Sequence, residues 1–127
     1  MKVRPRDHGA AAVEFALVVP ILIALVLAIA VFGRGFQIQS SLSMAAREGA
    51  REMAISKDAG IAESLAETTA DQLGVSGADA VVSGCAGGSA AVASVSYEYD
   101  LLGFAGFLRL DDDKILMTGR GEMRCGG

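Results

Sequence analysis

Glu14 is the residue whose position raises the clearest chemical question, because it stands at the edge of a long apolar run. From Phe15 to Gly33 the chain carries no charged residue. A carboxylate at the border of a bilayer-spanning segment costs free energy unless a cation pairs with it. No basic residue lies within the run, and Arg34 is about 30 Å further along a helix. The partner of Glu14 is therefore expected on another molecule, or to arise by processing.

Two cysteines, Cys85 and Cys125, form the other pair with chemical potential. An even number of cysteines beyond a membrane run, and so in an oxidising compartment, favours a disulfide. The bridge would close a loop of about 40 residues and add on the order of 3 to 4 kcal/mol in a chain-entropy estimate. A metal site would need further ligands, and the only histidine, His8, precedes the apolar run. The sequence predicts a Cys85–Cys125 disulfide and no metal centre.

The residue sets typical of catalysis are missing from the sequence. It has no glycine-rich phosphate loop, no Ser/His/Asp set and no Cys/His pair on one side of the run. The acidic run Asp111–Asp113 lacks the ligand spacing and the bidentate Glu of a calcium loop, so a solvated turn is the favoured interpretation. No basic aromatic surface for nucleic acid is visible. We predict that the chain is not an enzyme and takes no cofactor.

The composition is too apolar for an ordinary soluble domain, with 52% hydrophobic and 20% charged residues. The excess lies in residues 15–33, which as a helix span roughly 28 Å, enough for one membrane crossing. Lys2, Arg4 and Arg6 precede the run and only Arg34 closely follows it. Because basic residues stay on the cytoplasmic side, the C-terminal part of the chain is expected to face outward.

Two other interpretations of the apolar run stay open. Ala28-Ile29-Ala30 offers a signal-peptidase site, and cleavage after Ala30 would release a secreted, disulfide-stabilised domain. Against this, the run exceeds the ~7–15 residues of a secretory signal and begins beside an acid. Alternatively, the run is an uncleaved anchor of a single-span envelope protein whose outer domain binds a partner.

A helical period continues beyond the apolar run. Apolar residues recur there at i, i+3, i+4, i+7, i+8 and i+11, opposite a charged face on which Glu48 and Arg51 can pair. No proline follows Pro20, so we expect one helix from near residue 10 to about residue 55, kinked at Pro20. The apolar face comprises Leu42, Ala45, Ala46, Gly49, Ala50 and Met53.

A second, shorter helix is predicted after a polar, glycine-containing break at residues 56–60. It ends at Gly74, because glycine is the usual residue just beyond a helix terminus. Its apolar residues repeat at i+4 and are Ile61, Leu65, Thr69 and Leu73.

From residue 75 the period changes to that of strands. Residues 80–83 form a short strand, residues 91–99 alternate as a half-buried strand, and residues 115–125 form a further extended segment. The last two flank an apolar loop that ends in the acidic run. The sequence therefore predicts an α+β fold with a small antiparallel sheet packed on the outer part of the long helix. The side of the middle strand expected to be buried comprises Ala91, Ala93, Val95, Tyr97 and Tyr99.

The stretch "GAAAVEFALVVPIL", which begins at Gly9 and contains Glu14, Phe15 and Pro20, resembles the class III signal of type IV-like prepilins. That signal has a short basic leader, a Gly, a Glu as the fifth residue after it, and an aromatic next. With "AAREGAR" (45–51) and the terminal "GEMRC", the chain resembles TadE-like minor pilins, or pseudopilins, of the tight-adherence (Flp, type IVc) pilus system. Phe15 departs from the usual Tyr of the major pilins, and the greater chain length favours a minor component.

This resemblance implies that a membrane aspartic prepilin peptidase cuts after Gly9 and frees Ala10. The new α-amine is a cation at the level of Glu14, on the same subunit or a neighbour, and favours the ionised carboxylate. The implied organisation is a basic leader at 1–9, a long helix at 10–55 with its transmembrane part at 15–33, and an outward-facing, pilin-like head at 56–127.

The resemblance also implies partners and location. The partners are the prepilin peptidase, other pilins and minor pilins, the inner-membrane assembly platform, and the lipid bilayer before assembly. The protein would first lie in the bacterial inner membrane as a single-pass protein with its N-terminus inside, and then reach the pilus or cell surface. Its implied role is pilus assembly in support of adhesion and surface colonisation.

Overall fold

The computed structural model describes residues 8–85, 87–100 and 114–126. Its helices are α1 (His8–Ser56) and α2 (Ala59–Gln72), and its strands are β1 (Asp79–Gly84), β2 (Ala90–Asp100) and β3 (Lys114–Arg124). The predicted α+β class is confirmed. The leader positions 1–7 and the acidic run at 111–113 lie outside the described residues. The chain forms two compact units, the first ending at Gly33 and the second beginning at Arg34.

The described part of the first unit is the apolar part of α1. Its large side chains, among them Phe15 and Leu25, are exposed along its length. The helix is long and apolar enough to cross a membrane, as judged by length and composition. Pro20 lies inside α1, while the predicted kink stays a prediction. Apolar side chains left exposed over this length need lipid or other helices around them.

The second unit contains a three-stranded antiparallel sheet in the order β1-β2-β3. The register places Ala91 of β2 opposite Gly84 of β1 and Met123 of β3. At the other end of β2, Tyr99 lies opposite Ile115. Each strand prediction is confirmed to within about two residues of its ends.

The core of the second unit lies between the sheet and the helices. The predicted apolar face of α1 is confirmed, since Leu42, Ala45, Ala46 and Ala50 have no exposed surface. The alternation of β2 is also confirmed, with its odd-numbered side chains turned to the core. Small residues dominate, and the largest fully buried side chains are Leu42 and Val95. The apolar surface removed from water per residue is therefore small.

The predicted apolar face of α2 is wrong by one residue. The structure buries Ala62, Ala66 and Ala70, whereas Ile61 is 54% exposed. The buried alanines repeat at i+4 like the predicted residues, but their short side chains let α2 approach the sheet more closely than Ile or Leu would.

Both ends of α2 follow local rules. The Asp58 carboxylate accepts a hydrogen bond from the amide of Ile61 at 3.2 Å, which caps the first turn. Gly74 follows the helix with φ +85°, and the Val75 amide donates to the Ala70 carbonyl at 2.9 Å. Together these form a Schellman motif, and the predicted stop at Gly74 is confirmed.

Two glycines of β3 let the backbone of α1 lie directly against the sheet. A Cβ atom on Gly121 would be 2.5 Å from the carbonyl carbon of Ala46, and one on Gly119 would be 2.5 Å from the amide nitrogen of Ser43. Real Cβ atoms essentially never come this close to backbone. The spacing of two places both glycines on one face of the strand. The backbone of α1 therefore packs directly against the segment "TGRGE" of β3.

Side chains from the helices bond to the outer edges of the sheet. On β1, the Ala80 amide donates to Glu67 Oε1 at 3.3 Å and the Val82 amide donates to Glu63 Oε1 at 3.1 Å. On β3, Gln39 Nε2 donates to the Thr118 carbonyl at 3.0 Å. These bonds satisfy backbone groups that would otherwise face solvent at the sheet edges.

Candidate functional site

The peptide bond between Gly9 and Ala10 lies in the first described turn of α1 (His8–Ser56). Both residues are exposed, and nothing approaches within 4 Å of the Cβ position of Gly9. The first amides of a helix have no partner within the helix, and glycine weakens a helix relative to alanine. Gly9 therefore weakens the helix locally beside this peptide bond.

Glu14 follows Ala10 by four residues on the same helix. Residues four apart share one face of an α-helix, so a charge at the nitrogen of Ala10 would stand one turn from the carboxylate. Glu14 is exposed. Ion pairs within the described ranges join Glu48 to Arg51 and Glu98 to Lys114, each at 3.6 Å, and Glu14 belongs to neither. Its carboxylate is thus accessible to a cation from outside the helix.

Phe15 and Pro20 complete the N-terminal set. The Phe15 side chain is 71% exposed, and Pro20 is exposed inside the helix. From Gly9 to Pro20 the set spans roughly 17 Å of helix. One continuous helical segment therefore presents the candidate cleavage bond, the acid and the aromatic to any partner that surrounds it.

The cysteines lie in the second unit and form a disulfide. Their Cα atoms are 5.4 Å apart and their separation in sequence is 40 residues. Cys85 directly follows β1 and Cys125 directly follows β3, so the bridge joins the two outer strands at one end of the sheet. The Cys125 amide also donates to the Ser89 carbonyl at 3.0 Å. Both cysteines pack against the core, which gives the bridge a structural position.

The ion pairs in the described part of the second unit are solvated. Glu48 and Arg51 form the predicted pair, with side chains 44% and 61% exposed, so its contribution is about 0.3 kcal/mol. Within residues 8–85, 87–100 and 114–126, no three His, Cys, Asp or Glu side chains converge as metal ligands.

Sequence reasoning missed the bonds from Glu63 and Glu67 to the edge of β1. Their spacing of four was visible and indicates one helical face. The strand that they reach is 13 to 19 residues further along the chain. Only the tertiary structure identifies the backbone amides that they accept from.

Comparison with known proteins adds one match. The model of the TadE-like protein family matches residues 9–51, which contain both the Gly9–Glu14 segment and "AAREGAR". The match lies entirely within α1, while α2 and the sheet lie beyond it. No curated protein and no solved structure matches the chain.

Proposed function

We propose, from the premise that this chain is a TadE-like protein of the tight-adherence (Tad) pilus system, that it is a minor pilin or pseudopilin. In this proposal a prepilin peptidase cuts after Gly9, and the mature chain takes part in assembling a pilus used for adhesion and surface colonisation. The observation that carries the proposal is the exposed Gly9–Ala10 bond one turn before Glu14, on an apolar helix within the matched segment.

The proposed role of Glu14 is to bind a newly formed α-amine. A carboxylate in an apolar layer is costly, and an opposite charge within about 4 to 6 Å offsets part of that cost. Cleavage after Gly9 would make the nitrogen of Ala10 such a charge. When apolar helices pack side by side, the amine of one subunit can bind the Glu14 of a neighbour, which fixes their relative height.

The family implies association with other pilus components. The finer assignment includes the peptidase, other pilins and minor pilins, and an inner-membrane assembly platform. The small residues between Ala10 and Ala16, with Gly33 further along, suit close contact between helices. The same apolar surface contacts lipid before assembly and neighbouring helices afterwards.

The proposed location is the inner membrane, with the N-terminus inside, followed by the pilus or cell surface. The long apolar helix fits a membrane-anchored pilus component. Lys2, Arg4 and Arg6 lie before the apolar run and favour the cytoplasmic side. The disulfide fits the opposite, oxidising side for the second unit.

Mass spectrometry of the protein purified from its host membrane tests the processing step. We expect the mature chain to begin at Ala10. A Gly9→Val variant provides the control and is expected to keep Met1 or residue 2 at its N-terminus, because a branched side chain then occupies the cleavage position. A wild-type chain that begins at Met1 would favour an uncleaved anchor, and one that begins at Val31 would favour a secreted domain. Either result would contradict the proposed processing.

Substitution of Glu14 tests the assembly step. We expect the Glu14→Ala chain to be expressed and inserted, but its incorporation or the yield of pili should fall at least about tenfold, since a charge-assisted bond contributes about 1.5–3 kcal/mol. Glu52→Ala is the matched control, because it removes an acid of the same helix within the second unit. Quantifying sheared pili separates the two variants. Normal piliation with Glu14→Ala would defeat the proposed role.

A further inference from the structure

One end of the sheet lies beside the start of the second unit. The Cε1 atom of Tyr99 is 3.8 Å from the Cβ position of Gly35. Ile115 lies opposite Tyr99 in the β2–β3 ladder, and Leu116 follows it opposite Glu98. The last residues of β2 and the first residues of β3 are therefore level with residue 35 of α1.

This end of the sheet exposes large apolar side chains. Phe36 is 80% exposed, Leu116 is 67% exposed and Ile115 is 47% exposed, while Tyr99 is partly buried. We call these four residues the sheet-end patch. Because side chains alternate along a strand, Ile115 and Tyr99 lie on the core-facing side of the sheet and Leu116 lies on the other side, so the patch includes both faces of this end of the sheet. Exposed apolar side chains at one end of a sheet offer a contact to a protein or a membrane. The patch lies at the opposite end of β2 from the disulfide.

The position of Gly35 along the chain restricts what can contact the patch. Gly35 follows Gly33, the last residue of the charge-free run, by two positions, which is at most roughly 7 Å of chain. The headgroup layer on each side of a bilayer is roughly 5–8 Å thick. If residues 15–33 cross a membrane, Gly35 itself lies within or directly above that layer, and the ring of Tyr99 lies beside Gly35.

We propose that the sheet-end patch seats the second unit on the outer surface of the lipid bilayer before assembly. This inference rests on the membrane anchoring in the proposed function. The phenol of Tyr99 has an apolar ring and a polar tip, which suits the headgroup layer. Phe36, Ile115 and Leu116 contribute apolar surface at the same level. The ammonium of Lys114, 68% exposed beside Glu98, can reach lipid phosphates.

Contact between the sheet-end patch and lipid has a consequence for removal of the subunit from the membrane. Removal of the subunit from the membrane would take both the apolar helix and the sheet-end patch out of lipid. Lipid contact at Ile115 and Leu116 is the part that the helix alone does not supply.

Tryptophan fluorescence in vesicles tests the seat, and the absence of native tryptophan makes each introduced one a unique reporter. Leu116→Trp places the reporter on the patch. Val81→Trp is the matched control, because Val81 is 65% exposed and lies opposite Ser94, four residues before Glu98 on the same sheet face. That places it roughly 13 Å further along the sheet. Each full-length variant is reconstituted into phosphatidylcholine vesicles whose acyl chains carry bromine close to the headgroups.

We expect bromine to quench Leu116→Trp at least about threefold more than Val81→Trp, since the two sites differ by more than a headgroup layer. Equal quenching of the two reporters, or no quenching of either in protein that floats with the vesicles, would contradict lipid contact at the sheet-end patch. Either result would leave the membrane anchoring of the chain intact. A Leu116→Trp emission that is already blue-shifted in detergent and unquenched by bromolipid would also contradict lipid contact at the patch. That result would assign the patch to residues 101–113 or to a second copy of the chain.

Two further measurements separate the causes of failure. Protein that does not float with vesicles would contradict the anchoring itself, and the seat with it. Phe36→Trp gives a second reporter on α1, so an effect of position 116 on folding is recognised by comparison. Quenching of Phe36→Trp without quenching of Leu116→Trp would show that lipid contacts the helix alone. That result would overturn the proposed contact between the sheet-end patch and the bilayer.

Discussion

Loss of the Cys85–Cys125 disulfide is expected to lower the free energy of unfolding of the second unit by on the order of 3 to 4 kcal/mol. The bridge closes a loop of 40 residues that contains all of β2 and β3. Without it the unfolded chain regains the freedom of that loop. Proteins have a free energy of unfolding of about 5–15 kcal/mol in total, so this loss is a substantial share of it.

The composition of the core explains why the stability of the second unit depends on the bridge. Of the sixteen buried apolar residues in the described ranges, ten are alanines. Burying a CH₂-sized group contributes about 0.8 kcal/mol, whereas a full Leu or Val side chain contributes about 1.5–3 kcal/mol. A core built on Ala45, Ala66 and Ala93 therefore allows close approach of its layers but removes little apolar surface from water.

Urea unfolding of the full-length chain in detergent micelles measures this effect. The only two tyrosines, Tyr97 and Tyr99, lie in β2, so near-ultraviolet circular dichroism reports the second unit. We expect a double Cys85→Ala/Cys125→Ala variant, and the reduced wild type, to unfold at much lower urea than the oxidised wild type. The variant with added reductant is the control and should not shift further. Equal midpoints for oxidised and reduced wild type would show that the bridge contributes no stability.

The second large effect is expected from Gly121→Ala, which should destabilise the second unit by about 3 kcal/mol or more. Gly→Ala usually stabilises by about 0.4–1 kcal/mol where the backbone accepts it, by restricting the unfolded chain. Here the sign reverses, because the added methyl would lie 2.5 Å from backbone atoms of Ala46. A Cβ atom is fixed to the backbone of β3, and the atoms that it would meet are backbone atoms of α1, so neither can rotate away as a flexible side chain would. We expect α1 to be pushed off the sheet and the second unit to lose its cooperative unfolding transition.

Gly88→Ala is the matched control, because nothing lies within 4 Å of its Cβ position. The same denaturant experiment should find it within about 0.5 kcal/mol of wild type. Gly119→Ala should repeat the effect of Gly121→Ala, since it meets the backbone at Leu42 and Ser43. An unchanged midpoint for both variants would show that α1 does not lie against β3 as described.

Local patterns in the sequence predicted the elements well. The face of α1 that includes Leu42 and Met53 is buried as its spacing indicated, and the strands lie where the period of two begins. Each is a property of one segment. The face of α2 was predicted from its largest residues, yet Ile61 is exposed and Ala62 is buried. That choice depends on how closely two layers approach, which the segment alone does not encode.

Apart from the Cys85–Cys125 disulfide, the individual contacts between distant segments were beyond sequence reasoning. The role of Gly121 depends on Ala46, and the bond from Gln39 to Thr118 joins residues 79 positions apart. The candidate processing site, by contrast, could be predicted from the sequence, because it lies within one short segment. Gly9 and Glu14 lie within two turns of one helix, so their spacing in sequence is also their spacing in space.

The side-chain bonds on the sheet edges restrict how copies of this protein can associate. Glu63 and Glu67 bond to the amides of β1, and Gln39 bonds to a carbonyl of β3. A neighbouring chain that added a strand at either edge would have to break these bonds first. These bonds therefore oppose sheet extension between copies of the chain, and with it amyloid-like growth. The proposed assembly through the apolar helices would leave them intact.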